Sequence, residues 1–378
     1  MAYPLPTALN PIATWIGDSL TVLRGLPDQS VDSVVTDPPY AIRRLPRSIS
    51  ARPAARREDC PTTDCSDDHA CRDCTQEDLI NKYSDAPMLG QQSQNWHATA
   101  THSRGYADND PQQFQEWCSL WLNECWRILK PGGHLVAFGG TRTWHRLTCA
   151  AEDSGFEIRD SMAWLYSSGM PKSQNIERAL LGKEPTPADQ AAAKIWAGWG
   201  TTLKPAFEPI VLARRPLDGT MANNLRTWGV GPINLNAHPA VDNPAARQSA
   251  KWPTNVALDA DQARQMADRV SQDPSDFFWV SKPNKTERVV IDGVAHPTVK
   301  PLDLLRRLVT RVTPPGGLVL DPFAGSGTTI EACALDGFRA IAIERDPRYR
   351  PLIEARLARV ARTAPAPTGD VADTLCLF

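Results

Sequence analysis

Apolar and polar positions follow short regular patterns along this chain, broken by two long stretches where no period holds. Ala13 to Leu26 reads as a strand, a turn at Gly17-Asp18-Ser19-Leu20 and a helix, and Ser30 to Thr36 reads as a buried strand. Between Pro111 and Leu129, the residues Phe114, Trp117, Cys118, Trp121, Leu122, Cys125, Ile128 and Leu129 recur at helical spacing. Lys130-Pro131-Gly132-Gly133 is expected to stop that helix. Leu135 to Phe138 is the next strand, Thr143 to Asp153 a helix ending at Gly155, and Phe156 to Tyr166 a strand. Phe277 to Val280 resumes the core as a strand, and Leu302 to Val312 is an amphipathic helix. Leu318 to Leu320, Thr328 to Asp336 and Ala340 to Ile343 then read as strand, helix and strand. Alternation of this kind predicts an α/β fold with a doubly wound, mostly parallel sheet.

The aperiodic stretches divide the chain. Residues 41–109 are dominated by Pro, Arg, Asp, Cys, Ser and Gln, which marks a functional or disordered insert. From Ser167 to Pro274 the texture is Gly, Pro, Asn, Trp and scattered cations, with short periodic pieces such as Ala188 to Trp196. The expected layout is one core half at 1–166, a smaller domain at 167–274, the other core half at 275–363 and a tail at 364–378. A chain of 378 residues suits one large core with an appendage.

The formal charge of −2 does not advertise nucleic-acid binding, but its distribution is uneven. Ala41 to Arg57 carries six arginines and no acid, and Glu58 to Asp78 carries eight acids against one arginine. The first of these stretches, beside a candidate site at Asp37, is expected to neutralise phosphates. Six more arginines between Arg345 and Arg362 read as solvated loops and helix faces. The sequence holds neither an apolar run of membrane-spanning length nor a charged start followed by an apolar core, so a cytoplasmic location is expected.

Two motifs carry candidate chemistry. Thr36-Asp37-Pro38-Pro39-Tyr40 places a carboxylate, two stiff prolines and an aromatic ring at the end of a largely apolar strand. Asp321-Pro322-Phe323-Ala324-Gly325-Ser326-Gly327-Thr328-Thr329 is a glycine-rich turn between a strand and a helix, where backbone can approach a ligand closely. It is neither a Walker loop nor a G-x-G-x-x-G turn. Glu344 ends the following strand, well placed to accept both hydroxyls of a ribose. Together the two motifs resemble those of the site-specific DNA amino-methyltransferases. The order of catalytic motif before cofactor motif matches the circularly permuted β class.

That resemblance implies a methyltransferase sheet with one antiparallel strand and an inserted target-recognition domain between the motif groups. It also implies S-adenosylmethionine as cofactor, duplex DNA as partner, and room for a cognate restriction nuclease and a homodimer. Asp37 and the Pro38 carbonyl would hold the two hydrogens of an exocyclic amine, Pro39 would stiffen the turn, and Tyr40 would stack an extracted base. Asp321, Phe323, Gly325, Ser326, Gly327 and Glu344 would form the cofactor site. His296-Pro297-Thr298-Val299-Lys300-Pro301 resembles the family's preceding motif, which would set Thr298 and Lys300 beside the methionine end, with Lys300 near its carboxylate. Asp18 would approach the adenine amine, with helix capping as its alternative. Aspartate in the first motif goes more often with adenine N6, whereas the same acceptor geometry also serves cytosine N4. An RNA or protein-amide methyltransferase and an inactive DNA-binding module are the rival functions.

Gly169-Met170-Pro171-Lys172-Ser173 and Leu203-Lys204-Pro205-Ala206-Phe207-Glu208-Pro209 are loops that could face a duplex or serve structure alone. Cys60, Cys65, Cys71 and Cys74 form C-x4-C-x5-C-x2-C, a spacing at which four thiolates could hold a structural zinc, with four unligated thiols as the alternative. The odd total of nine cysteines argues against a disulfide framework.

Overall fold

The computed structural model describes residues 3–40, 111–166, 169, 173–235, 254–258, 278–280, 282–284 and 286–363. The chain divides into two compact units. The first comprises Met1–Ser161, Ile210–Ala250 and Pro283–Phe378, and the second Met162–Pro209 and Lys251–Lys282. The expected domain at 167–274 is therefore not one continuous segment. Its middle belongs to the larger unit, because the apolar run inside Phe207–Arg214 completes that unit's sheet.

The strands of the chain are β1 (Ile12–Ile16), β2 (Val31–Thr36), β3 (Leu129–Phe138), β4 (Glu157–Leu165), β5 (Phe207–Arg214), β6 (Val256–Leu258), β7 (Phe278–Trp279), β8 (Val290–Ile291), β9 (Val294–Ala295), β10 (Leu318–Asp321) and β11 (Arg339–Glu344). Helices are α1 (Ser19–Arg24), α2 (Pro111–Ile128), α3 (Trp144–Asp153), α4 (Ile176–Leu181), α5 (Pro187–Ile195), α6 (Met221–Trp228), α7 (Leu302–Val312), α8 (Thr328–Leu335) and α9 (Arg350–Thr363). In the larger unit the strands run in the order β1-β11-β10-β2-β3-β5. Five of them are parallel, and β5 is antiparallel to β3 with Phe138 opposite Ile210. Helices α1, α2 and α3 pack together, as do α7, α8 and α9, flanking the sheet. Both faces of the parallel strands are thus covered, and β2 is buried at every position.

Burial of β2 requires that its polar side chains be satisfied. Asp32 accepts from the Lys130 ammonium and from the Leu318 amide, both at 2.6 Å. Ser33 shares a 2.7 Å hydrogen bond with Thr313, and Thr36 donates to Asp321 at 2.7 Å. Each polar residue therefore ties β2 to a neighbouring element. Lys130 to Gly133, expected as a helix stop, instead lie within β3. At Gly133 the backbone passes so close to β2 that a Cβ would stand 2.9 Å from the Asp32 carbonyl, and the register between these strands shifts at that point.

The smaller unit holds α4, α5 and the parallel strands β4, β6 and β7, with β4 beginning in the larger one. Inside it the buried Trp164 indole donates to the Val280 carbonyl at 3.1 Å. Phe278–Trp279 thus belongs to this unit and pairs with β6, where the sequence placed it in the main core. Its two-residue length carries no pattern that distinguishes one sheet from another. Among the described residues no helix is long and apolar enough to cross a membrane.

Candidate active site

Parallel pairing brings the sequence motifs to one edge of the larger unit's sheet. Val34 pairs with Leu320, Asp321 with Ala342, and Ile16 with Glu344, so the segments after β1, β2, β10 and β11 all emerge at the carboxyl end. That edge is where α/β sheets place ligands. The Ser19 hydroxyl donates to the Pro322 carbonyl at 2.6 Å, and the Gly17 amide donates to the Glu344 carbonyl at 2.9 Å. Residues separated by three hundred positions of sequence become neighbours here.

Asp37 stands at the end of β2, and its carboxylate is divided in use. Oδ2 accepts from the Lys300 ammonium at 2.6 Å, whereas Oδ1 is buried with no hydrogen-bond partner among the described residues. The ammonium of Lys300 lies 5.2 Å from the ring centroid of Tyr40 and 4.9 Å from that of Phe138. Pro38 is buried, while Pro39 and Tyr40 are partly exposed. The Tyr40 carbonyl accepts from the Thr143 hydroxyl at 2.7 Å. Gly140 lies against the same residue, and a Cβ added there would come within 3.1 Å of the Tyr40 Cβ.

The glycine-rich loop is set by its backbone and by carboxylates beneath it. Gly325 (φ 54°) and Gly327 (φ 84°) occupy the left-handed region, and Gly327 caps α8. Asp321 is buried, with Oδ1 accepting from Thr36 and from the Phe323 amide at 3.1 Å. Burial pushes its pKa up to about 6, against the lowering effect of those hydrogen bonds. The Glu344 carboxylate accepts from the Gly325 amide at 2.8 Å and from the Asp346 amide at 2.7 Å. Burial raises it to about 7. Phe323 packs edge-on to Trp121, with ring centroids 5.2 Å apart. Buried Ser326 accepts from Arg356 at 3.3 Å.

Of the remaining predicted residues, Asp18 is the N-cap of α1, accepting from the Thr21 amide at 3.2 Å. Thr298 is exposed, and its carbonyl lies 2.9 Å from the His296 ring. Lys300, expected beside the cofactor's carboxylate, contacts Asp37. Sequence reasoning passed over His296 as an individual residue. Its ring lies against Gly325, 3.0 Å from where a Cβ would be, and packs on Tyr349. It also missed Arg356, which belongs to the arginines read as solvated yet is completely buried. Arg356 pairs with Glu331 and donates to the Glu287 carbonyl at 2.6 Å. The alternation of Leu352, Ile353 and Arg356 with exposed positions on α9 was the available signal.

The basic stretch Ala41 to Arg57 and the cysteines Cys60, Cys65, Cys71 and Cys74 lie outside the described residues, as does most of the loop at Gly169. Among the described residues no cluster of His, Cys, Asp and Glu could hold a metal ion. In the loop at Leu203 to Pro209, Leu203 is 92% exposed.

The family model for DNA methylases of the N6/N4 type matches residues 31–355. The type II methyltransferase M.HindIII of Haemophilus influenzae (strain Rd) is 27% identical over 327 residues, 83% of this chain and 85% of that protein. Among solved structures, the PvuII DNA methyltransferase, described as cytosine-N4-specific, matches with a TM-score of 0.52 at 15% identity. That alignment covers 93% of this chain and 91% of the other, and the likeness is one of fold.

Proposed function

We propose that this chain, which belongs to the DNA methylase family and is therefore a DNA methyltransferase, transfers a methyl group from S-adenosylmethionine to adenine N6 in duplex DNA. The divided carboxylate of Asp37 is the observation that carries methyl transfer to an exocyclic amine, while the choice of adenine rests on the aspartate of the first motif, with cytosine N4 as the alternative. One oxygen is fixed by Lys300, and the other is a buried acceptor with no hydrogen-bond partner among the described residues. An exocyclic amine is a weak nucleophile because its lone pair is delocalised into the ring. Asp37 Oδ1 takes one amine hydrogen, and the carbonyl of Pro38 takes the other. The nitrogen is thereby drawn toward tetrahedral geometry with its lone pair directed outward. Tyr40 offers its ring to the base, which must leave the duplex stack for the amine to reach this edge. Thr143 and Gly140 hold Tyr40 in place.

Glu344 and the loop from Asp321 to Gly327 suit the cofactor. A carboxylate at the end of β11 accepts ribose hydroxyls, and the two glycines admit a ligand against bare backbone. S-adenosylmethionine, when bound, supplies an electrophilic methyl carbon on a sulfonium. Asp321 shapes the loop from beneath and is consumed by Thr36 and Phe323, so its contribution is to hold the loop. A cognate nuclease is part of this proposal, since the relative M.HindIII is described as a type II methyltransferase.

The test is incorporation of labelled methyl into unmethylated mixed-sequence duplex DNA, followed by nucleoside digestion and mass spectrometry. Wild-type protein should yield N6-methyladenine, and Asp37→Ala should yield none while still binding cofactor by calorimetry. N4-methylcytosine would reassign the base and keep the site. Wild-type-like incorporation by Asp37→Ala would overturn the role of Asp37.

A further inference from the structure

The side chain that grips Asp37 is itself buried and closely held. Lys300 is 7% exposed. It directly precedes Pro301, the N-cap of α7, and the first amide of that helix donates to Glu287 Oε1 at 2.9 Å. The lysine stem therefore leaves a fixed backbone and ends between two aromatic faces, with its charge placed on Asp37 Oδ2. An ammonium in such a place requires an anionic partner, and Asp37 is that partner.

We propose that Lys300 is a positioning residue for methyl transfer: by holding Oδ2 of Asp37 it turns Oδ1 toward the target amine and fixes the carboxylate against rotation. The inference rests on the reading of Asp37 given above and differs from a role in binding the cofactor's carboxylate. Lysine can offer several hydrogens, so the ammonium could touch both groups. Without Lys300 the carboxylate would rotate about its terminal bond, and its two oxygens would become interchangeable.

Lys300→Met, assayed in single turnover at saturating cofactor on unmethylated mixed-sequence duplex, should transfer methyl about 100-fold more slowly, the scale expected for a reacting group misplaced by an ångström. Its cofactor Kd by calorimetry should change by less than about threefold, well under 1 kcal/mol. The loss should fall on the single-turnover rate and not on cofactor affinity, a split that a merely structural role would not produce. Lys300→Gln keeps a donor for Oδ2 without the charge. It takes over if Lys300→Met melts below the assay temperature, and it should recover part of the rate with the same unchanged cofactor Kd. A weakened Kd together with wild-type rate at saturation, in either variant, would overturn the proposal and make Lys300 a cofactor ligand only. Asp37→Ala run alongside separates the two levels. If it methylates normally, the underlying reading fails; if it is dead while the Lys300 variants behave as wild type, only this inference fails.

Discussion

Replacing Glu344 with glutamine should favour the fold increasingly as pH rises and should weaken the protein's hold on cofactor. In the folded chain burial moves this carboxyl from its ordinary 4.5 to about 7, despite the amides of Gly325 and Asp346 that favour the anion. An acid with a raised folded pKa binds its proton more tightly folded than unfolded. Its contribution to stability is therefore complete below the unfolded value and is lost as pH climbs from about 4.5 through about 7. The loss across that window is on the order of 3 kcal/mol. Glutamine does not titrate and so escapes the loss, but its NH2 faces one of the two amides and forfeits one hydrogen bond at every pH. In urea denaturation the stability difference between the two proteins should move in favour of Glu344→Gln by on the order of 2–3 kcal/mol between pH 5 and pH 8. Calorimetric titration at pH 8 should show the opposite order for ligand. Losing a charged acceptor for the ribose hydroxyls costs about 1.5–3 kcal/mol, or about 10- to 150-fold in Kd. Wild-type affinity should rise between pH 6 and pH 8, while that of the glutamine variant should stay level. Parallel stability curves for the two proteins would refute the argument from burial, and equal affinity at pH 8 would refute the ribose contact.

Gly140→Val places a branched side chain where a Cβ alone would already stand 3.1 Å from both Tyr40 and Thr143. The single-turnover rate should fall about 10- to 100-fold with cofactor affinity unchanged, because the Tyr40 ring is displaced while the glycine loop is not. Thr36→Val removes the 2.7 Å hydrogen bond to buried Asp321. It should cost about 1–3 kcal/mol by urea denaturation near pH 8, and less near pH 5, where Asp321 is protonated and needs the donor less.

The parts of the site that lie on strand ends were legible because each announces itself locally. An apolar run leading into Asp37-Pro38-Pro39-Tyr40, or into Asp321 and closely spaced glycines, marks both a strand and the turn at its end. The capping alternative for Asp18 was equally local, and the hydrogen bond from Thr21 sets Asp18 at the start of α1 in that role. The pairing of distant groups could not be read. Nothing near Lys300 in the sequence points to Asp37, 263 residues away. Nothing near Arg356 indicates that it meets Glu331 and Ser326 in the interior. An arginine-rich helix looks solvated until the partners of each guanidinium are known. The position of β5 was obscured for a related reason. Its strand character is local, whereas its membership of the larger unit depends on an antiparallel pairing with β3.

The strand order also bears on when this protein becomes competent during its synthesis. In the larger unit's sheet β1 lies at the edge, and its neighbour is β11, made more than three hundred residues later. The strand bearing Asp37 likewise waits for β10 on one side. While a ribosome is still translating the middle of the chain, the first strands have been made but the loop that would receive the cofactor has not. Closing so long a span before its contacts can form slows folding, since the entropy of closure is met before any gain from pairing. A nascent or prematurely terminated chain would therefore carry Asp37 without an assembled site, and activity would begin only after residues 318–344 had joined the sheet.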